Sequence, residues 1–241
     1  MKIKIINKLI LCFIVGFVAV GCSKTGETYK EYLKQGEVYY PGRIDSLSII
    51  PGNQRAILRF QMTTDPKVKS FKVFLRNSLS PNITVLDFPI ESNDFGMIKE
   101  YELNNLDEAT YSINVRTYAS AVDSSRAVAA NQFIYGNRYA STLINRSFVS
   151  FNKTNPSTPF IVFARETNLP RPGTFYPMQY TEVQYETVSG EIKISKATPY
   201  EEYASLVDVK PGSLVKYRTV YMPVKNSIDL FYTDYKEVQF N

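Results

Sequence analysis

Arg55-Ala56-Ile57-Leu58-Arg59-Phe60-Gln61-Met62 alternates without a break. Ala56, Leu58, Phe60 and Met62 share one face; Arg55, Ile57, Arg59 and Gln61 share the other. Successive side chains of an extended strand point to opposite sides, so this period of two predicts a half-buried β-strand. Working outward, Pro51-Gly52-Asn53 supplies a turn and Ser46 to Ile50 the strand before it. Phe71, Val73 and Leu75 alternate with Lys72, Phe74 and Arg76 in a third strand. Ile83 to Phe88, Met97 to Leu103, Tyr111 to Thr117 and Val128 to Tyr135 complete a set of seven. Short strands separated by turn residues over about 100 positions predict an antiparallel β-sandwich.

The pattern then repeats. Residues 136–156 lack clean alternation and end in a polar stretch with proline. Beyond them, Ile161-Val162-Phe163, Thr181 to Tyr185, Glu191 to Ile194 and Val215 to Tyr221 are strand-like, with Ser189-Gly190 as a hairpin signal. Val115-Arg116-Thr117-Tyr118 is echoed by Tyr217-Arg218-Thr219-Val220, each in the same expected strand of its half. Asn105-Leu106-Asp107-Glu108-Ala109-Thr110-Tyr111 resembles the corner before strand F of fibronectin type III domains, which makes Tyr111 a core residue. Val209-Lys210-Pro211-Gly212-Ser213 resembles the same corner in the second half. The expectation is an all-β chain of two tandem antiparallel sandwiches of fibronectin type III or immunoglobulin type. Domain 1 spans 37–136, a linker 137–156, and domain 2 spans 157–241.

The N-terminus has a different character. Lys2, Lys4 and Lys8 precede an apolar run from Leu9 to Val20, and Ala19-Val20-Gly21 leads into Cys22. That order is a secretory signal peptide (1–21) followed by a lipoprotein cleavage site. The run is well short of the roughly 20 residues a spanning helix needs. The mature chain is expected to start at a lipid-bearing Cys22 and continue through a polar tether, 22–36. Two or three acyl chains at about 0.8 kcal/mol per buried CH₂ hold a protein firmly on a membrane. The expected location is the cell envelope, on the outer membrane, facing either side of it.

Composition removes several function classes. Without the signal lysines, 25 basic residues stand against 23 acidic ones, and no five like charges run together. Nucleic-acid binders show a concentrated basic face, so none is expected here. Both cysteines are accounted for, Cys12 in the signal and Cys22 as lipid site, which leaves stability to packing rather than disulfides. The chain has no histidine, the commonest general base and transition-metal ligand, and no tryptophan, the flattest sugar platform. No enzyme activity, cofactor or metal is expected.

Gly36-Glu37-Val38-Tyr39-Tyr40-Pro41-Gly42-Arg43, Asp45-Ser46-Leu47, Asp65-Pro66-Lys67-Val68 and Tyr139 to Arg146 occur in a telling order. Tyr217 to Pro223 and Ile228-Asp229-Leu230-Phe231-Tyr232-Thr233 continue it. Together they resemble a Bacteroidota family of envelope lipoproteins catalogued as a domain of unknown function. The resemblance implies paired immunoglobulin-like domains, often beside glycan-uptake machinery, and carries no catalytic or binding residues. Polysaccharide or glycan-uptake proteins are therefore the expected partners, besides the membrane. Many relatives carry a further C-terminal, often lectin-like, module; this chain is expected to stop at Asn241 without one, which weighs against direct carbohydrate binding.

Tyrosines must then serve any sugar site. Phe175-Tyr176, with Tyr180, is the leading candidate because Pro170, Pro172, Gly173 and Pro177 place it in a loop. Tyr39-Tyr40 and Tyr232 with Tyr235 are further clusters. Such rings either stack on a pyranose face or simply cover the sandwich. Arg138 and Arg146 flank the boundary and either clamp an acidic ligand or pair with carboxylates to fix the domain angle. Asn104, Asn105, Asp107 and Glu108 supply oxygen atoms for calcium without a recognised spacing, and a corner turn explains them equally. Asp45-Ser46-Leu47 resembles an O-glycosylation acceptor, with Ser46 as the modified residue. Glu201-Glu202 and Asp229 with Asp234 are the carboxylate pairs a hydrolase would need. The expected function is lipid-anchored binding or scaffolding, as an accessory of glycan capture; the alternative is a structural or adhesive protein acting through protein contacts.

Overall fold

A computed structural model of the chain describes residues 39–241. The expected signal peptide, Cys22 and the tether lie outside the described residues. The first seven strands are β1 (Asp45–Pro51), β2 (Ala56–Gln61), β3 (Ser70–Asn77), β4 (Ile83–Pro89), β5 (Ile98–Leu103), β6 (Thr110–Tyr118) and β7 (Val128–Phe133). They form two antiparallel sheets, β1-β2-β5 and β4-β3-β6-β7. Ala56, Leu58, Phe60 and Met62 all turn inward and are buried. Phe60, Phe71, Phe88 and Tyr101 make a cluster of rings with centroids 4.9 to 5.7 Å apart. Asn105 takes a left-handed φ of 57°, and the Asp107 N–H donates to the Tyr111 hydroxyl at 2.9 Å, which pins the crossover between sheets.

The second half repeats this order. Its strands are β8 (Phe148–Asn152), β9 (Phe160–Phe163), β10 (Met178–Glu186), β11 (Ile192–Ala197), β12 (Tyr203–Ser205), β13 (Leu214–Tyr221), β14 (Phe231–Tyr232) and β15 (Lys236–Gln239). The sheets are β12-β9-β8 and β11-β10-β13-β14, with β15 also on β13. The chain is thus all-β, two antiparallel sandwiches of fibronectin type III topology, each with its own apolar core.

The stretch 137–156, expected to be linker, is different in fact. It contains a short helix, α1 (Asn137–Thr142), and all of β8, so the second sandwich begins near residue 148 rather than 157. A register shift between Phe148 and Ser150 explains why alternation failed there. It puts Phe148 and Phe151, three residues apart, against the same core.

The four-residue echo marks one structural position. Thr117 on β6 and Thr219 on β13 are both fully buried. Each receives a hydroxyl from the end of its own sandwich: Ser125 Oγ accepts from the Thr117 N–H at 3.1 Å, and Thr233 Oγ1 from the Thr219 N–H at 2.9 Å. Each side chain also fastens the segment leading into the first strand. Thr117 Oγ1 donates to the Gly42 carbonyl at 2.7 Å, and Thr219 Oγ1 accepts from the Arg146 N–H at 2.9 Å.

Contacts join the two sandwiches end to end. Asp229, after β13, accepts from Arg55 Nη2 at 2.6 Å and Nε at 2.8 Å, and from the Asn53 N–H at 2.8 Å. Arg55 also reaches Glu102 at 2.6 Å. The Ile228 N–H and Ser227 hydroxyl both donate to the Pro51 carbonyl, at 2.9 and 3.0 Å. Tyr135, Tyr139 and Phe231 pack edge to face beside this lock. Glu108 accepts the first free N–H groups of α1, from Arg138 at 2.6 Å and Tyr139 at 2.8 Å, so the connection is tied to the first sandwich. Gly52 is required here, because a Cβ would lie 2.4 Å from Asp229 Oδ2.

Candidate functional site

Four segments meet at the end of the second sandwich that faces the first. They are the lead-in to β8 (143–147), the β9–β10 loop (164–177), the β11–β12 loop (198–202) and Tyr221 at the end of β13. Arg146 forms the floor. Its side chain is 1% exposed. Nε donates to the Ala164 carbonyl at 3.1 Å and Nη1 to that of Thr198 at 3.2 Å, while the guanidinium faces the Phe163 ring at 5.6 Å. Nη2 has no partner. A buried donor left unmade costs about 1–3 kcal/mol, so this atom is positioned at the expense of stability. Burial lowers the guanidinium pKa, against the opposing pull of Glu166, Glu202 and Glu201.

The walls are phenols and carboxylates. Glu166 Oε1 lies 3.8 Å from Arg146 Nε, an ion-pair distance too long for a hydrogen bond. The Tyr221 hydroxyl donates to the Ile144 carbonyl at 2.8 Å. Burial first, then Glu166, Tyr176 and Tyr139, push its pKa up to about 12. Burial and Glu166 push Tyr176 up as well, so both phenols stay neutral at physiological pH. The Tyr200 hydroxyl donates to the Pro170 carbonyl at 3.1 Å, which ties the two loops together and leaves the residue 45% exposed.

These residues share three adjoining concavities. One of about 500 Å³ is bordered by Arg146, Glu166 and Tyr200. Another of about 420 Å³ is bordered by Arg146, Tyr176 and Tyr221, and a third of about 290 Å³ by Phe175, Tyr176 and Tyr200. Apolar rings around a few convergent polar groups are the ordinary make-up of a small-ligand site.

Of the three aromatic residues singled out in the sequence, Phe175 and Tyr176 border this cleft together. Tyr180 borders none of its concavities; its ring faces the Lys196 ammonium at 4.3 Å. Tyr232 and Tyr235 flank Arg218 at 4.3 and 4.6 Å, and Arg218 pairs with Glu182 at 2.8 Å. Tyr39 donates its hydroxyl to Asp65. Ser46 is exposed, with φ 56°, where the β1 register shifts. Among the oxygen-bearing corner residues, Glu108 caps α1 and Asp107 accepts from Asn77 at 3.0 Å. Both arginines lie beside carboxylates, Arg138 at 3.8 Å from Glu108 and Arg146 at 3.8 Å from Glu166. The carboxylates are engaged as well: Glu202 lies 3.6 Å from Arg165, Glu201 accepts from the Thr198 N–H at 2.8 Å, and Asp229 serves the lock.

Sequence reasoning missed Tyr200, Tyr221 and Glu166. For Tyr200 a signal existed, since Pro199 precedes it much as Pro177 follows Tyr176. The first sandwich has a larger hollow, about 610 Å³ between Asn82, Glu102, Asn104 and Asp107, but no buried unpaired donor was found in it.

A family profile matches residues 22–231. The chain belongs to the DUF4998 family, a domain of unknown function. No curated protein matches it. Among solved structures, this DUF4998 chain is similar to a two-domain fibronectin type III segment of chicken tenascin. Identity is 11%, coverage 82% of this chain and 98% of that one, with a TM-score of 0.33. It is also similar to the FN1–FN3 domains of chicken CNTN1, at 9% identity over 84% of this chain and 69% of that one, TM-score 0.45.

Proposed function

We propose that this protein is a non-enzymatic binding component of the bacterial cell envelope, held by lipid on Cys22, that captures glycans at the Arg146 cleft. The carrying observation is the convergence of Phe175, Tyr176 and Tyr200 with Arg146 and Glu166 around one set of concavities. Rings with polar rims suit a pyranose face, and the part-exposed Glu166 supplies an acceptor at its edge. The family match begins at residue 22, the position where the cleaved lipoprotein is expected to start, which supports the anchoring. An outer-membrane location and an origin in Bacteroidota follow from the resemblance of the sequence. Ser46, exposed on β1, is free to carry an O-glycan.

A screen of the chain Ser23–Asn241 against immobilised polysaccharides tests this reading. One polysaccharide class is expected to bind, and Tyr176→Ala to weaken it about tenfold, the scale on which a stacked ring contributes. Binding untouched by Tyr176→Ala would move the site elsewhere.

A second reading has its own observation. β11 is an unpaired sheet edge whose outward Ile192 and Ile194 are 56% and 59% exposed. An extended segment of a partner protein fits such an edge by strand addition. Crosslinking on intact cells to a transporter component, without glycan binding, favours that scaffold role.

A further inference from the structure

The charges around Arg146 say which glycans fit. We infer that the cleft selects neutral polyhydroxylated ligands and rejects acidic ones, a refinement that rests on the glycan-capture reading above. A buried arginine suggests an anion site at first sight, but its surroundings do not. Arg146 is met by Glu166, Glu202 and Glu201 together. Arg165, the other guanidinium bordering the cleft, is already paired with Glu202. Bordering the cleft, Glu166 and Glu202 against Arg146 and Arg165 leave no positive excess, and a uronate entering it approaches Glu166.

A neutral diol meets no such conflict. Glu166, whose side chain is 25% exposed and which is not hydrogen-bonded to Arg146, accepts from one hydroxyl, and the neutral Tyr176 phenol beside it meets the next, while Arg146 stays buried beneath them. Tyr176 and Tyr221 remain protonated beside them and extend the polar edge. Phe175 and the exposed Tyr200 ring supply the apolar face. Phenol and glutamate thus present one donor and one acceptor side by side, the complement of vicinal hydroxyls on an uncharged sugar.

The test uses the chain Ser23–Asn241 at low salt with two sets of probes: neutral polysaccharides (a glucan, a mannan, a galactan) and uronate polymers (galacturonan, alginate). Neutral probes are expected to bind at least about tenfold more tightly, because a site built around hydroxyl partners strongly rejects a misfit. Glu166→Gln is expected to weaken neutral binding and to narrow the gap to the uronates. A single cooperative melt, at or below the parent's temperature, shows that the variant is folded. Uronates bound as tightly as neutral glycans, or a Glu166→Gln variant identical to the parent, would overturn the charge selection while leaving glycan capture standing. Capture of a peptide probe but no glycan in either set would overturn both.

Discussion

The two sandwiches share strand order, sheet pairing and a buried threonine, yet they finish their N-terminal ends in opposite ways. In the first, the β2–β3 loop (62–69) closes on itself: Asp65 accepts from the Gly42 N–H at 2.8 Å, the Lys67 N–H at 3.0 Å and the Tyr39 hydroxyl. Ile44 fills the space beneath it. In the second, the corresponding β9–β10 loop (164–177) is longer, and the residue buried before the first strand is Arg146. One end is sealed with an aliphatic side chain; the other is left with a charged floor and an unmet donor. The comparison teaches that the fold tolerates either finish, and that the costly one lies at the cleft proposed as the binding site.

The cores are the first place to break that comparison. Phe71 touches three rings, at 4.9 to 5.3 Å, whereas among the described residues Phe163 packs on one ring, Tyr217, at 5.3 Å, and on the Arg146 guanidinium. Phe71→Ala is expected to cost about 3–5 kcal/mol and Phe163→Ala to fall at or below the low end of that range. Denaturant unfolding with amide exchange resolved by sandwich measures both. A costlier Phe163→Ala would reverse the ranking of the cores.

The paired threonines sharpen it. Thr219→Val strands the Arg146 N–H in a buried setting and is expected to cost about 1–3 kcal/mol. Thr117→Val removes a donor to the partly exposed Gly42 carbonyl and should cost less. Equal losses in thermal melts would mean that the two positions are equivalent in energy as well as geometry.

The lock is the smallest expected effect and the most pH-dependent. Hydrogen bonding from Arg55 holds the Asp229 carboxyl below its ordinary value of 3.8. A carboxyl depressed in the folded state stabilises above its unfolded value and loses that contribution as pH falls through the folded one. The lock should therefore loosen below about pH 4. Asp229→Asn should loosen it at neutral pH, at about 1 kcal/mol given the partial exposure of both partners. Small-angle scattering across pH follows the angle between sandwiches; a parent and variant with the same acid response would remove Asp229 from the account.

Much of the scaffold was legible because its signals are local. Ala56, Leu58, Phe60 and Met62 announce β2, and the Tyr111 corner could be placed from its neighbours alone. β8 was hidden by its register shift, while β12 and β14, three and two residues long, are too short to show a period. The cleft was half legible. Phe175 and Tyr176 stand out among prolines, but Arg146 and Glu166 lie 20 positions apart and meet only through pairing of β8 with β9. Tyr180 misled because the register of β10 shifts between Met178 and Tyr180, so Met178 borders the cleft while Tyr180, two residues on, faces Lys196.

The Asp229 lock has a consequence for inheritance. Its halves, the Pro51–Arg55 turn and the loop after β13, are 176 residues apart at the Asn53–Asp229 bond. The junction is thus encoded jointly by both modules and by Tyr139 in the stretch between them. Gly52 leaves no room for a side chain against that carboxylate, so even the blank position belongs to the code. Either sandwich moved alone into another protein takes half a joint with it.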